Sequence, residues 1–502
     1  MQSYEHHIVH ESLFKRHPYL QGPFSSDIDP NQITVAIFDR TIPKFREVLS
    51  QPDFDFDKCR DALKTLNELV HHQETMDKMI DHELLEISSN LLGSASQEVR
   101  EQAAILLSSF AISKRARELF NYAFPRLQQL LEDKVLEVRE AVASVFHKLS
   151  INDDGCQRIV DSNCVQYMIL SFIGHSKDGK TLKKEDGQYL IHLLEAFANL
   201  TFSDKGIQPL LGTGAVLNFN KIISESYVND ILEEQHKQKI KELCLRVLGN
   251  ISINHDGKQE CIDDRVILSA WKYLGSDSYE KRLSASLVLM SCTIHLNGKQ
   301  QAVWFEEAKG EPKIIQEIIR NYPDLKKNLK RTLINIAELP EGFLKITHEL
   351  SDKADLLDEI FGPSAVKPLH NLLPKLSDYV DPLKIENKDI GQKYMRYVKS
   401  LAFIIKKYKD DAAQVARDDT INFSEKLAPF LNPETQLQKE TVLCLTEVCR
   451  IDPYNRHVLN NFLKKYGELP IKRSNGQVTT IKREISQYTD LLNFAQDSQI
   501  FT

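Results

Sequence analysis

Residues Gly174-His-Ser-Lys-Asp-Gly179-Lys180-Thr181 have the types and spacing of a loop that cradles phosphate. In such a loop the backbone amides surround the phosphates, Lys180 reaches the outer pair and Thr181 holds magnesium. That chemistry needs a strand before the loop and an unbroken helix from the Lys-Thr pair onward. Tyr167–Ile173 falls instead on a helix in the repeat register set out below, and Gly187 interrupts the stretch that follows. No later strand ends in a magnesium-binding Asp. Gly174, Gly179, Lys180 and Thr181 are therefore expected to form a polar loop between helices that binds no nucleotide.

Other reactive residues are as dispersed. His6, His7 and His10 lie near the N-terminus, and His71-His72 at a helix end, without HExxH or any other metal-ligand spacing. Eight cysteines are scattered through apolar patterns with no CxxC pair, as expected for buried reduced thiols of a cytosolic protein. No metal, cofactor or catalytic constellation is expected, so the chain is not read as an enzyme. With 42% hydrophobic and 27% charged residues and a formal charge of −7, the composition is that of a folded soluble protein. It gives no reason to expect nucleic acid or anionic lipid as a partner. The first twenty residues lack the apolar core of a signal peptide, and runs such as Tyr167–Ile173 are too short to span a bilayer.

The elements that position these residues come from an internal repeat. VREQAAILLSSFAISKRARELF at 99–120 overlays VREAVASVFHKLSINDDGCQRIV at 138–160, IKELCLRVLGNISINHDGKQECI at 240–262 and KRLSASLVLMSCTIHLNGKQQAV at 281–303. Gly155, Gly206, Gly257 and Gly298 are 51, 51 and 41 residues apart, and each is followed two places on by Gln157, Gln208, Gln259 or Gln300. Apolar residues at i, i+3, i+4 and i+7, on a period of about 40 residues, are the mark of armadillo or HEAT units. The fold expected is an all-α, right-handed solenoid of about eight such repeats. The glycines are expected to end the long helices. Small residues (Ala103, Ala104, Ala141, Ala143, Ser284, Ala285) are expected where helices pack closely.

Breaks in the rhythm divide the chain. Residues 1–40 read as an extended arm, 41–350 as the repeat array, 351–390 as a proline-rich irregular joint, 391–465 as further helical repeats, and 466–502 as a polar tail, helical around Ile481–Phe494. Insertions at 174–188 and 222–239 account for the longer periods.

Seven residues before each repeat glycine stands a polar residue: Lys148, Asn199, Asn250, Ser291 and Asn335. On the last helix of each unit, these side chains are expected to line a concave groove and to bind a partner's extended backbone. Bracing of neighbouring repeats is the other use of such asparagines. An import receptor pairs such an Asn with a Trp four residues earlier, and neither Trp271 nor Trp304 has that relation. Lys393, Arg396, Lys399, Lys406 and Lys407 form a candidate basic docking face, with a second cluster at Lys326, Lys327, Lys330 and Arg331.

The stretch Asp39-Arg-Thr-Ile-Pro43-Lys44-Phe-Arg-Glu-Val-Leu-Ser-Gln-Pro52, followed by Arg60-Asp-Ala62-Leu63 and Leu66-Asn-Glu-Leu69-Val-His71, resembles the opening repeat of the radial spoke head 14 homologues. Val247–Gln259 and LINIAELPEG at 333–342 resemble later segments of the same family. The likeness runs over 41–350; residues 351–502 extend past the usual family length. It implies a non-catalytic scaffold in the axoneme of cilia and flagella. Its partners would be other radial spoke proteins in a large hetero-oligomer, with the doublet microtubule contacted indirectly and no nucleic acid or membrane bound. Such a subunit helps transmit signals between the central pair and the dyneins. The other reading is a soluble adaptor for extended peptides of cytosolic or nuclear proteins.

Overall fold

A computed structural model of the chain describes residues 41–50, 55–176, 186–224, 232–306, 322–339, 354–360, 427–431, 438–472 and 477–496, with scattered positions between them. The fold is an all-α armadillo-type solenoid, in two compact units, Met1–Ser269 and Ala270–Thr502. The arm, most of the joint and the Lys393–Lys407 face lie outside the described residues.

In the first unit five long helices form the frame: α1 (Phe56–Leu69), α2 (Gln97–Phe110), α3 (Leu136–Ser150), α4 (Gly187–Leu200) and α5 (Glu234–Ile253). Each packs against the next. Their apolar residues cover more than one stripe because each helix has a neighbour on both sides. In α3, for example, Val138, Val142, Val145, Phe146 and Leu149 are all fully buried. Ala103, Ala104 and Ala143 are buried at the helix contacts, as their size predicts, and Ala141 nearly so. Shorter helices, such as Asp153–Asp161 and Cys164–Ser176, complete each repeat. They carry the aromatic core to the outer layer, where Phe172, Phe197 and Phe219 meet with ring centroids 5.0–5.9 Å apart.

The repeat glycines do not end the long helices. Gly155, Gly206 and Gly257 sit in the first turn of the following short helix, and none has positive φ. They are needed because this turn lies against the end of the long helix. A Cβ on Gly155, Gly206 or Gly257 would stand 1.9, 2.1 or 2.4 Å from the carbonyl oxygen of Leu149, Leu200 or Ile251. Eight residues further on, the turn between the two short helices takes a left-handed residue: Asn163, Gly214 and Arg265, with Glu83 at the matching place in the first repeat.

The expected loop at 174–188 is trimmed by helix at both ends. Cys164–Ser176 carries Gly174 inside its last turn, and α4 begins at Gly187. A helix thus stands where a phosphate-binding loop needs a strand. Lys180 and Thr181 lie outside the described residues.

The second unit repeats the pattern in α6 (Tyr279–Cys292) and α7 (Pro323–Ala337), which pack together. Ala285 is buried in α6, whereas Ser284 stays partly exposed. Helices α8 (Gln438–Ile451) and α9 (Pro453–Tyr466) both pack against Thr489–Gln496. Residues expected to form a polar tail are therefore folded in part. Ile471–Lys472 pairs antiparallel with Val478–Thr479, the one strand pair among the described residues. The Arg456 guanidinium lies 4.9 Å from the Phe494 ring centre.

Gly206→Ala should cost roughly 1–3 kcal/mol of stability, the usual range for forcing a group into a packed site. Urea denaturation measures it; a change below about 0.5 kcal/mol, the size of an ordinary surface substitution, would refute the close-approach explanation.

Candidate functional site

Polar bonds at both ends tie the long helices together. At the N-terminal end, arginines at one register position clamp an acid from the next repeat. Arg60 reaches Glu98 at 3.0 Å, Arg100 holds Asp133 through two hydrogen bonds of 2.9 and 3.1 Å, and Arg139 reaches Asp186 at 3.1 Å. In the second unit Arg282 meets Glu317 at 3.2 Å. Asp133, Asp186, Arg282 and Glu317 are buried or nearly so, so loss of either partner would leave a charge stranded away from water.

At the C-terminal end the asparagine ladder does the same work. The Asn199 amide donates to Ser150 Oγ at 3.1 Å. Asn250 donates to the Ala198 carbonyl and to Thr201 Oγ1, both at 3.1 Å. Asn335 donates to the Met290 carbonyl and to Thr293 Oγ1, both at 3.2 Å. Each acceptor hydroxyl stands five residues before the glycine position of the preceding repeat, so one contact recurs three times. These amide nitrogens, expected to meet a partner's backbone, are committed to the neighbouring repeat. Ser291 is buried at 3% exposure. Lys148 is half-buried, and burial holds its ammonium below the ordinary lysine value. Lys326 and Lys330 close on Glu359 at 2.5 and 2.7 Å, so this basic cluster is partly neutralised within its own unit.

The residue four places before each glycine position is instead turned to solvent. In the first unit Ile112, Ile151, Phe202 and Ile253 are 59, 60, 67 and 58% exposed, and Ile294 holds the same place in the second unit at 55%. Tyr122 and Leu170 are also exposed, but at no shared register position. Isolated surface hydrophobics are ordinary; the same exposed position is apolar in these five successive repeats, with His71 and Glu338 at the matching places on either side. Arg246 lies over the Phe202 ring, 5.4 Å from its centre. At the N-terminal ends of α2 and α3, away from the stripe, burial and then the charges of Glu137 and Glu98 hold the Glu101 carboxyl above its ordinary value, with Lys64 opposing them. The sequence signal for the stripe was available in the repeat overlay, but an apolar residue at a helix end looks like core.

The fold also joins three residues that no local spacing links. His147 on α3 meets His192 and Glu195 on α4, each partly buried. No helix among the described residues is long and apolar enough to cross a membrane. All eight cysteines are free thiols, and burial pushes Cys164 up to about 12.

No family model matches the chain, and no curated protein matches it. Among solved structures, an engineered protein aligns over 91% of this chain and 99% of its own, with 16% identity and a TM-score of 0.51. A designed armadillo repeat protein covers 50% of this chain and 99% of its own at 19% identity and a TM-score of 0.43. Another, solved in complex with the peptide (KR)4, covers the same shares at 19% identity and a TM-score of 0.42. The first of these likenesses is to the fold alone.

Asn250→Ala should destabilise the protein by about 1–3 kcal/mol, because it removes two buried hydrogen bonds to the neighbouring repeat and leaves the Ala198 carbonyl only Thr201 Oγ1. Thermal and urea unfolding test this. An unchanged midpoint together with lost partner binding would restore the groove-facing role.

Proposed function

We propose that the chain is a non-catalytic scaffold that holds an extended segment of another protein along the stripe Ile112, Ile151, Phe202 and Ile253. The observation that carries this reading is the recurrence of one exposed, bulky apolar side chain at the same position of successive repeats. Packed helices stand about 8–10 Å apart, which is the length of about three residues of extended chain. The segment it fits therefore has an apolar residue at roughly every third position.

The finer reading makes the partners other proteins of the ciliary radial spoke. What supports it is the resemblance of residues 41–350, the Pro43-Lys44 opening above all, which repeats of this class do not share in general. A spoke subunit would be axonemal; a soluble adaptor for cytosolic or nuclear peptides would not.

A tagged chain in a ciliated cell should be recovered from salt-extracted axonemes in an assembly far larger than its own 57.7 kDa. The pair Ile151→Ser with Phe202→Ser should leave stability within about 1 kcal/mol, as exposed positions do, yet elute at monomer mass. Recovery of the wild type free in cytosol or nucleus would defeat the spoke reading. Incorporation of the double variant as efficient as wild type would defeat the stripe itself.

A further inference from the structure

We propose that His147, His192 and Glu195 form a binding site for one divalent transition metal ion of the zinc class, tying two neighbouring repeats together. His192 and Glu195 are three residues apart on α4, so they project from one helix face. Helix α3, packed against α4, brings His147 to the same point. The two imidazoles stack with ring centres 5.6 Å apart. Nδ1 of His147 lies 3.1 Å and Nδ1 of His192 3.6 Å from Oε2 of Glu195. The three donor atoms all lie within 4.8 Å of one another.

The two nitrogen-to-oxygen separations are close to those of a coordination shell. A tetrahedral ion with bonds of about 2.05 Å has ligand atoms about 3.3 Å apart, between the two observed values. An octahedral ion with bonds of about 2.1 Å asks for about 3.0 Å, a poorer match. Two neutral imidazoles and a carboxylate suit zinc and its neighbours and leave a fourth position open.

The surroundings favour the site. Nδ1 of His192 is shielded from solvent and has no hydrogen-bond partner, 3.6 Å being too long for one. Nε2 of the same ring lies 3.1 Å from the Gln188 amide nitrogen. Metal binding at Nδ1 requires that amide to flip, so that its oxygen accepts from Nε2–H. Against the site stand two cations, Lys148 beside His147 and Lys239 beside Glu195. Lys239 is partly neutralised by Glu242 at 3.1 Å. The inference stands apart from the scaffold reading, since the stripe needs no metal.

The test is titration of the metal-free full chain with Zn2+, followed by calorimetry, and with Co2+, followed by its visible absorption. His6, His7 and His10 are first replaced by Ala, so that the N-terminal histidines cannot contribute. The expected result is one ion per chain and an intense tetrahedral-type cobalt spectrum. His147→Ala, His192→Ala and Glu195→Gln should each weaken binding at least as much as the roughly 10–100-fold that losing an outer partner of a metal ligand costs. The isosteric Glu195→Gln guards against a variant that fails to fold, and the cobalt spectrum needs no variant. Absence of stoichiometric binding, a weak octahedral-type spectrum, or equal affinity in all three variants would overturn the site.

Discussion

In the first unit each of α2, α3 and α4 depends on the long helix before it and the one after it. None has a core of its own: α3 is apolar on more than one face because α2 and α4 cover it. Burial on both sides favours stacking but does not choose the register, since one apolar turn slides over another at modest cost. The polar bonds at the two helix ends choose it. A one-turn slip would strand Arg100 from Asp133, Arg139 from Asp186 and Asn250 from Thr201. Such groups, buried and unpaired, each cost about as much as a large core mutation. The glycines at 155, 206 and 257 then let the next helix start directly against the end of the last.

Once the register is fixed, so is what the stack presents. The position after each asparagine contact, held at the helix end, faces water, and the chain fills it with Ile112, Ile151, Phe202 and Ile253. The same alignment brings His147 opposite His192 and Glu195. Fold and candidate sites thus follow from one set of inter-repeat contacts. The asparagine amides brace neighbouring repeats and so fix where these side chains stand.

Much of the fold was legible because its signals are local. The Gly-x-Gln spacing survives in sequence since the close approach it records lies within seven residues, from Leu200 to Gly206. The role of the asparagines was not legible. Their acceptors lie 42–52 residues away, and a polar side chain on a helix has the same sequence pattern whether it faces a partner or a neighbour. The metal-type cluster was hidden for the same reason, as His147 and Glu195 belong to different repeats. The phosphate-loop match failed in an instructive way: its glycine spacing was present, but Gly174 belongs to a helix. Residues 466–502 looked like a polar tail with one helical stretch around Ile481–Phe494, yet within that stretch Ile485 and Leu491 are fully buried.

The central claim is that the register-fixed stripe is where partners lie. The most direct measurement replaces single residues with a photo-reactive amino acid in the full chain inside ciliated cells. Phe202, on the stripe, is compared with Leu170, equally exposed on the helix Cys164–Ser176. A discrete crosslinked partner is expected from position 202, repeated at 151 and 253, and none from 170. Crosslinks of equal yield at both faces, or from 170 alone, would contradict it.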